Sequence, residues 1–246
     1  MPVQFHNFAY SFSGPKGKPV FVPTPEGREI GHKVKTLVEE NYEFDAFYTH
    51  FRPGGHVRAL HAHRQHAVFA KLDLKDFFYT IGRNRVDKAL KACGVRHHAH
   101  FAKWSTVKSP SGEGGYVLPY GFVQSPILAS LVLSQSAVGR FLAEASQQVL
   151  VTVYLDDIAF SADDAGLVSE VFAAALSVVD EAGFMLNTAK VAAPSEAIEV
   201  FNCGLKVGQT SVLEVRRDAF YAEARSEESA DAFERYCEVV EAGNTR

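Results

Sequence analysis

Cysteine is scarce in this chain of 246 residues, and its pattern excludes two classes of protein. Cys93, Cys203 and Cys237 lie far apart, and no two of them form a CxxC pair. A disulfide-stapled scaffold or a thiolate zinc site would need cysteines in pairs at short spacing. We therefore expect three reduced thiols that serve as small core residues, and a cytoplasmic location.

Long hydrophobic runs are also missing. No stretch of 18 or more apolar residues occurs, although 47% of the residues are hydrophobic. A membrane-spanning helix needs about 20 such residues. The first residues, MPVQFHNFAYSF, lack a charged region followed by an apolar stretch, so we expect no signal peptide. No repeat or low-complexity tract is evident, and we predict one large domain or two small lobes.

The charge is divided unequally along the chain. Its net value is −4, but residues 1–110 carry 17 Lys and Arg against 9 Asp and Glu, whereas residues 111–246 carry 8 against 20. A basic first half is able to hold a polyanion through phosphate contacts. Chance clustering of solvated charges is the alternative interpretation.

Two neighbouring carboxylates mark the second half. The segment Val151–Ser161 reads VTVYLDDIAFS, in which two strand-like runs flank Asp156 and Asp157. Adjacent negative charges repel each other, and a bound cation relieves that repulsion. Because Mg²⁺ takes a few carboxylates together with substrate phosphates, the pattern indicates phosphoryl or nucleotidyl transfer.

The order of predicted elements indicates an α+β fold. From residue 68 onwards the expected elements are a strand over Val68–Leu74, a helix capped by Asn84, a helix from Ser125 to about Ala145, the aspartate hairpin, a helix over Asp163–Ala182, and short strands near Phe184–Leu186 and Phe201–Leu205. The order β-α-β-β-α-β is that of a split βαβ, ferredoxin-like sheet with helices on one face.

Four segments together resemble a known family. Phe69–Ile81 reads FAKLDLKDFFYTI, Leu118–Pro126 reads LPYGFVQSP, Tyr154–Asp157 reads YLDD, and Gly183–Val191 reads GFMLNTAKV. In order and spacing they resemble motifs A, B, C and D of reverse transcriptases, particularly the bacterial branch of retron, group II intron and defence-associated enzymes. The resemblance covers about residues 16–215.

This resemblance implies a right-hand polymerase with a reduced thumb. The fingers would comprise residues 1–67 with part of 79–117, and the palm with motifs A to D would comprise 68–205. Residues 206–246 would form a short helical thumb. Because this last segment is short and mainly acidic, we expect a structured RNA, an accessory protein or a second copy of the chain to complete the enzyme.

Catalytic residues follow from the same resemblance. Asp73 and Asp156 would hold two Mg²⁺ ions, with Mn²⁺ as an alternative. Asp157 would support the ions more weakly, and the backbone carbonyl of Leu74 would assist. One ion would lower the pKa of a primer 3′-OH, and the other would bind the incoming triphosphate. Lys190 of motif D would protonate pyrophosphate or screen its charge.

A nucleotide pocket is implied as well. Phe78 occupies the ribose-gate position, where an aromatic ring selects dNTPs over NTPs, and Gly121 lets the backbone approach the nascent base pair. Tyr120 stands where relatives carry Gln, which affects fidelity and template preference. Lys18 and Arg52 are expected to contact the triphosphate.

Further residues are candidates for nucleic-acid contact. They are Lys16, Arg58, Arg64, Ser125 and Tyr154. The ten histidines invite a zinc interpretation, but neither a cysteine partner nor HExxH spacing accompanies them. Polar contacts near a phosphate backbone are favoured instead.

The favoured function is that of an RNA-directed DNA polymerase, a reverse transcriptase that adds dNTPs to a primer 3′-OH on a dedicated non-coding RNA and makes DNA in anti-phage defence. Tyr120 and the short thumb motivate a second hypothesis, untemplated or protein-primed DNA synthesis by the same site. The hydroxyls of Tyr10, Tyr221 or Tyr236 would then serve as primers. A third hypothesis is a non-catalytic RNA-binding scaffold.

Overall fold

The computed structural model describes residues 6–14, 17–112 and 114–245. The chain divides into two compact units. The first comprises Met1–Phe44 and Asp76–Arg140, and the second comprises Asp45–Lys75 and Phe141–Arg246. This division does not test the labels fingers, palm and thumb, which stay predictions.

Eleven strands and nine α-helices occur within those described ranges. The strands are β1 (Phe8–Ser13), β2 (Pro19–Pro23), β3 (Val68–Asp73), β4 (Val107–Lys108), β5 (Tyr116–Val117), β6 (Leu150–Tyr154), β7 (Asp157–Ala162), β8 (Ala192–Ser195), β9 (Ala197–Val200), β10 (Cys203–Lys206) and β11 (Gln209–Val212). The helices are α1 (Pro25–Asn41), α2 (Gly55–His63), α3 (Arg83–Ala92), α4 (His98–Trp104), α5 (Ser125–Ser134), α6 (Ala137–Ala145), α7 (Ala165–Glu181), α8 (Glu214–Tyr221) and α9 (Glu227–Glu241).

A four-stranded antiparallel sheet in the order β6-β7-β3-β8 forms the centre of the second unit. Strand β3 is buried at all six positions, as its apolar sequence requires of a central strand. Helix α7 packs against β3, β7 and β8, and the side chain of Asp164 caps it by accepting from Gly166 N and Leu167 N. The predicted split βαβ sheet is confirmed.

A second sheet in this unit has the order β11-β10-β9. Its inner face shares a core with α2 and α9, in which Phe69, Leu60, Cys203 and Phe233 are buried. The predicted strand at Phe184–Leu186 is wrong, because only an isolated bridge between Leu74 and Leu186 forms there. Strands β8, β9 and β11 are four-residue segments, too short for an alternating pattern to identify them.

The first unit combines two hairpins with helices. Strands β1 and β2 pair antiparallel, as do β4 and β5. Helix α1 begins after Thr24, whose hydroxyl accepts from Gly27 N, and α1 packs against α4 and α5. Helix α3 begins at Arg83 with Gly82 as its N-cap, so the prediction that Asn84 caps this helix is wrong by two positions.

The predicted single helix from Ser125 to Ala145 is also wrong. The helix is interrupted after Ser134, and α5 and α6 meet there at a bend of 73°. Ser136 ends one helix and starts the next, because its hydroxyl donates to Leu133 O at 2.6 Å and accepts from Val138 N at 3.1 Å. A Cβ at Gly139 would lie 2.0 Å from Ser134 O, so the bend requires glycine there.

The described segments include no single helix that is long and apolar enough to span a membrane. The bent pair α5 and α6 meets that criterion jointly, by length and composition only.

Candidate active site

Two of the predicted carboxylates meet at adjacent strand ends in the second unit. Asp73 is the last residue of β3 and Asp157 the first of β7, and the two are direct partners in the antiparallel register. Asp156 lies at the tip of the β6–β7 hairpin, and its carbonyl accepts from Leu74 N at 2.8 Å. Leu155 before it has φ +57°. The predicted cluster of Asp73 with the Asp156–Asp157 hairpin is therefore present, while the carbonyl of Leu74 as a ligand stays a prediction.

Two lysines supply positive charge to these carboxylates. Lys190 donates from Nζ to Asp73 Oδ2 at 2.6 Å, and this hydrogen bond raises the pKa of Lys190. Lys71 Nζ lies 3.8 Å from Asp157 Oδ1, and Lys71 is only 8% exposed. Sequence reasoning missed Lys71. It precedes Asp73 by two positions on β3 and so shares its face, which is the signal that could have revealed it.

Burial is the main influence on the protonation of Asp157. Together with the negative charges of Asp156 and Asp73 it raises the pKa of Asp157 to about 6, against the opposing effect of Lys71. Because like charges disfavour ionisation of a neighbour, the charges of Asp156 and Asp73 add to the effect of burial on the pKa of Asp157. A cation bound to them would lower their mutual repulsion.

The donor set suits a hard divalent cation. Across the described ranges, no group of three or more His, Cys, Asp and Glu side chains is arranged to hold a metal ion on its own. Mg²⁺ does not require such a cage, since it is usually held by one or two carboxylates, substrate phosphates and water. Asp73 and Asp157, at paired strand ends, therefore fit a magnesium ion, and Asp156 is a third carboxylate beside them.

His50 contacts the backbone of the β6–β7 hairpin next to its tip, a role that the sequence did not suggest. Its Nδ1 lies 3.3 Å from Val153 O and 3.4 Å from Leu155 N. Burial lowers the pKa of His50 to about 4, so the ring is neutral near pH 7. A neutral imidazole adds no positive charge beside the carboxylates while it contacts the backbone of the tip.

Tyr154 lies among aromatic rings. Its ring makes edge contacts with His50, His56 and Phe201 at centroid distances of 5.7 Å. His56 in turn hydrogen-bonds the hydroxyl of Tyr236 in α9 at 3.0 Å. Tyr154 is partly buried, and this packing joins the YLDD hairpin to α2 and α9. No local pattern connects residues that far apart in sequence.

An aromatic and charged cluster occupies the first unit. The ring of Tyr120 lies 4.9 Å from Phe78 and 5.1 Å from Tyr79. Lys18 forms an ion pair with Asp76 at 2.8 Å and donates to Tyr120 OH at 3.4 Å. Partial burial favours the neutral amine of Lys18, but these two partners outweigh it and raise the pKa of Lys18. Among the predicted nucleotide-site residues, Tyr120 thus contacts both Phe78 and Lys18.

Gly121 lies beside this cluster. Its φ is +100°, and a Cβ there would be 2.3 Å from Phe21 O. The neighbouring backbone forms a hydrogen bond from Phe21 N to Tyr120 O at 2.8 Å. The sequence predicted a glycine for close approach of a base pair, and the structure gives it a second reason, the close approach of β2.

The remaining predicted residues are dispersed. Arg58 is exposed on α2, and Arg52 is partly exposed after the turn at Thr49–Phe51. Ser125 is 1% exposed and donates to Pro119 O, while the buried guanidinium of Arg64 donates to Ala242 O. These contacts give Ser125 and Arg64 structural roles, and their contact with nucleic acid stays a prediction. Lys16 lies outside the described residues.

Three solved structures share this architecture. Foamy viral protease–reverse transcriptase is 14% identical, with a TM-score of 0.51 over 91% of this chain and 34% of its own. Telomerase from Candida albicans is 13% identical, with a TM-score of 0.55 over 77% and 38%. Apo telomerase from Candida tropicalis is 11% identical, with a TM-score of 0.57 over 84% and 48%. The chain thus spans between about a third and a half of these proteins, and the likeness shows the fold alone.

The fold is therefore that of the fingers and palm of reverse transcriptases. The family model of reverse transcriptase (RNA-dependent DNA polymerase) matches residues 15–207. Because the match covers most of the chain, the protein belongs to this family of RNA-dependent DNA polymerases. No curated protein matches it in sequence.

Proposed function

We propose that this protein is an RNA-directed DNA polymerase that adds dNTPs to a primer 3′-OH. Membership of the reverse transcriptase family supports the proposal. The single observation that carries it is the pairing of Asp73 with Asp157 at the ends of β3 and β7. Asp73 is buried and Asp157 is partly buried, and two neighbouring carboxylates that repel each other in such a setting are unfavourable in a purely structural role.

In this proposal Asp73 and Asp157, with Asp156 beside them, hold the divalent ions. When bound, Mg²⁺ supplies Lewis-acid activation of the primer hydroxyl and charge stabilisation for the triphosphate. Lys190 is placed beside Asp73, where its ammonium has a proton to give to the departing pyrophosphate oxygen. Lys71 balances the charge of Asp157 and keeps that carboxylate oriented along the strand end.

The aromatic cluster of the first unit is proposed to select the nucleotide. Phe78 is 9% exposed and is held by the ring of Tyr120, so its position is well defined. A fixed aromatic face excludes a ribose 2′-OH by its bulk. Lys18 donates a hydrogen bond to the hydroxyl of Tyr120. We propose that Lys18 leaves its ion pair with Asp76 and binds the triphosphate when a nucleotide enters.

The test is DNA synthesis by the Asp73→Asn variant. With a primed RNA template, dNTPs and Mg²⁺, the wild-type chain should make cDNA, and D73N should lose at least about 1,000-fold in rate, since a metal-binding charge is removed while the shape is kept. The matched control is Asp180→Asn, an exposed position on α7, which should retain activity. Equal synthesis by D73N, or none by the wild-type chain on any template, would contradict the proposal.

The same assay separates the alternative hypotheses. Sequencing of the product shows whether it copies the RNA, and products that ignore the template and survive RNase treatment would indicate untemplated or protein-primed synthesis. An RNA-binding scaffold would make no product, and its RNA affinity would be indifferent to D73N.

The finer assignment rests on resemblance. We propose a place in the bacterial branch of retron and defence-associated enzymes, a dedicated non-coding RNA as template, a role in anti-phage defence and a cytoplasmic location. The motif likeness of residues 69–81 and 118–126 supports the branch, and the three free thiols agree with a reducing location. Sequencing of RNA that copurifies with the protein tests the template, since a heterogeneous RNA population would contradict a dedicated one.

A further inference from the structure

A basic pocket lies in the first unit, between the end of α1 and the connection from α3 to α4. Its volume is about 440 Å³, and Lys33, Asn41, Arg96, His97 and Phe101 are among the residues that line it. Among the described residues, no carboxylate lines it. Lys33 and Arg96 form no ion pair with any described residue, and Lys33 Nζ lies 6.0 Å from the ring centre of Phe101.

The surroundings reinforce this positive charge. Between Arg83 and Lys108 the chain carries seven Lys and Arg residues and one acidic residue, Asp87. That carboxylate is engaged with His98 Nδ1 at 2.6 Å. On α1, Glu39 pairs with Lys35 at 3.7 Å. Helix α1 also carries Glu26, Glu29 and Glu40, but the two charged side chains that line the pocket, Lys33 and Arg96, are both cationic. A cleft lined by one sign of charge attracts ions of the opposite sign.

The loop that presents the cationic groups has an unusual backbone. Gly94 has φ +73° and His97 has φ +59°. The left-handed region is unfavourable for a residue other than glycine, and such strain is found preferentially at functional sites. Here it turns the chain sharply, so that Arg96 and His97 are both exposed at the pocket.

We propose that this pocket and the basic faces of α3 and α4 bind the phosphate backbone of RNA. A guanidinium and an ammonium that lack an ionic partner match a phosphodiester in charge and geometry. The pocket is large enough for a phosphate group with its flanking ribose. Contacts of this kind position a nucleic acid without reading its sequence.

RNA is favoured over an acidic protein as the occupant. The pocket combines a planar guanidinium, an ammonium and an imidazole around one concavity. Its apolar lining consists of the partly exposed Leu37 and the buried side chains of Val95 and Phe101. A protein interface would offer a larger apolar centre. RNA is also the template named for the family. The site lies outside the aspartate cluster, so binding there does not depend on the proposed chemistry.

The experiment measures the affinity for a stem-loop RNA without primer, dNTPs or divalent ions, by fluorescence anisotropy between about 50 and about 200 mM salt. The double variant Lys33→Glu with Arg96→Glu should weaken binding at least about tenfold and lower the salt slope by about two, because two phosphate contacts are lost. The charge-conserving pair K33R with R96K should bind like the wild-type chain. Arg235→Glu, an exposed position on α9, should leave the affinity unchanged.

Several readouts keep the outcomes distinct. Lys33 and Arg96 are exposed, so the melting temperature should not change, and the alanine variants K33A and R96A repeat the test without charge reversal. D73N should bind this RNA normally, so loss of polymerase activity and loss of this site are separable. Unchanged affinity and slope in K33E/R96E would overturn the proposal, and so would tighter binding of single-stranded DNA than of RNA. If K33E/R96E lost self-association and kept its affinity for RNA, the pocket would be a contact for acidic residues of a second copy of the chain, and the proposal would be overturned.

Discussion

Single residues of the candidate site are defined by their charge partners. Lys190 is bonded to Asp73 at 2.6 Å, whereas Lys71 lies 3.8 Å from Asp157. A buried lysine is stable only with a partner. The two carboxylates therefore have unequal environments, with a close hydrogen bond at Asp73 and a longer ionic contact at Asp157.

Phe78 provides the first prediction at this scale. Phe78→Val should raise incorporation of rNTPs relative to dNTPs by about 10- to 200-fold, because the bulk that excludes the 2′-OH is removed. Single-nucleotide extension with each nucleotide type measures the ratio. The matched control is Phe77→Leu, since Phe77 is 2% exposed in the core and should affect stability alone. An unchanged ratio in F78V would remove Phe78 from the role of gate.

Gly121 provides the second prediction at the scale of single residues. Gly121→Ala should lower the free energy of unfolding by more than about 2 kcal/mol, since it adds a contact of 2.3 Å with Phe21 O to the strain of φ +100°. Gly112→Ala separates the two effects. Gly112 has φ +79° with no neighbour within 4 Å, so we expect a loss of only about 1 kcal/mol. Urea unfolding measures both, and equal losses would show that the contact is unimportant.

At the scale of helices and strands, buried polar side chains join one element to another. His63 at the end of α2 hydrogen-bonds Ser161 Oγ and Thr152 Oγ1, each at 2.7 Å, and so connects the helix to β6 and β7. Burial, with a smaller effect from the charge of His66, lowers the pKa of His63 to about 3. The histidine clusters that invited a zinc interpretation thus include a neutral, buried structural residue.

This histidine predicts a pH dependence. Its folded pKa of about 3 lies below the ordinary 6.5, so the unfolded chain binds a proton that the folded chain does not. The contribution of neutral, buried His63 to the free energy of unfolding is present above pH 6.5 and is lost as the pH falls. The loss between pH 6.5 and 5 should be about 2 kcal/mol. His63→Gln should lack this part of the loss and keep the part that His50 contributes, since the pKa of His50 is also lowered, to about 4, whereas exposed His32→Gln should keep both parts. Urea unfolding across this pH range tests the prediction. It would be contradicted if the free energy of unfolding fell equally with pH in the wild-type chain and in H63Q.

Helices and strands were predictable where their patterns are long and regular. The apolar run at β3, the YLDD hairpin and the 3.6-residue period of α7 identify these elements. The break between α5 and α6 was not predictable from hydrophobicity, since both segments are apolar. It depends on the side-chain bonds of Ser136 and on the lack of a Cβ at Gly139.

At the scale of the whole molecule, segments distant in sequence complete one another. Asn244 covers the edge of β11, with its amide donating to Thr210 O at 2.8 Å and accepting from Thr210 N at 2.9 Å. Arg64 donates to Ala242 O at 2.7 Å and to Asn244 Oδ1 at 3.1 Å. Residues 242–245 therefore satisfy a strand edge that would otherwise be open.

Asn244→Ala tests this closure. It removes two hydrogen bonds to the Thr210 backbone, one from the Thr210 hydroxyl and one from a buried guanidinium, so the unfolding free energy of the second unit should fall by about 1–3 kcal/mol. Hydrogen exchange should also become faster along β11. Glu238→Ala, an exposed change on α9, is the control. Identical exchange rates in N244A and wild type would show that the segment is dispensable.

The sequence by itself determined the family and the acidic strand ends, because motifs, strand alternation and helical period are local properties that each segment carries alone. It also placed Asp73, Asp156 and Asp157 correctly on their strand and hairpin. Only the tertiary structure decided that Lys71 balances Asp157, that Arg64 is buried under residues 242–244, and that Lys33 and Arg96 share one pocket. Those outcomes depend on which distant segments come into contact, and no local periodicity encodes such contacts.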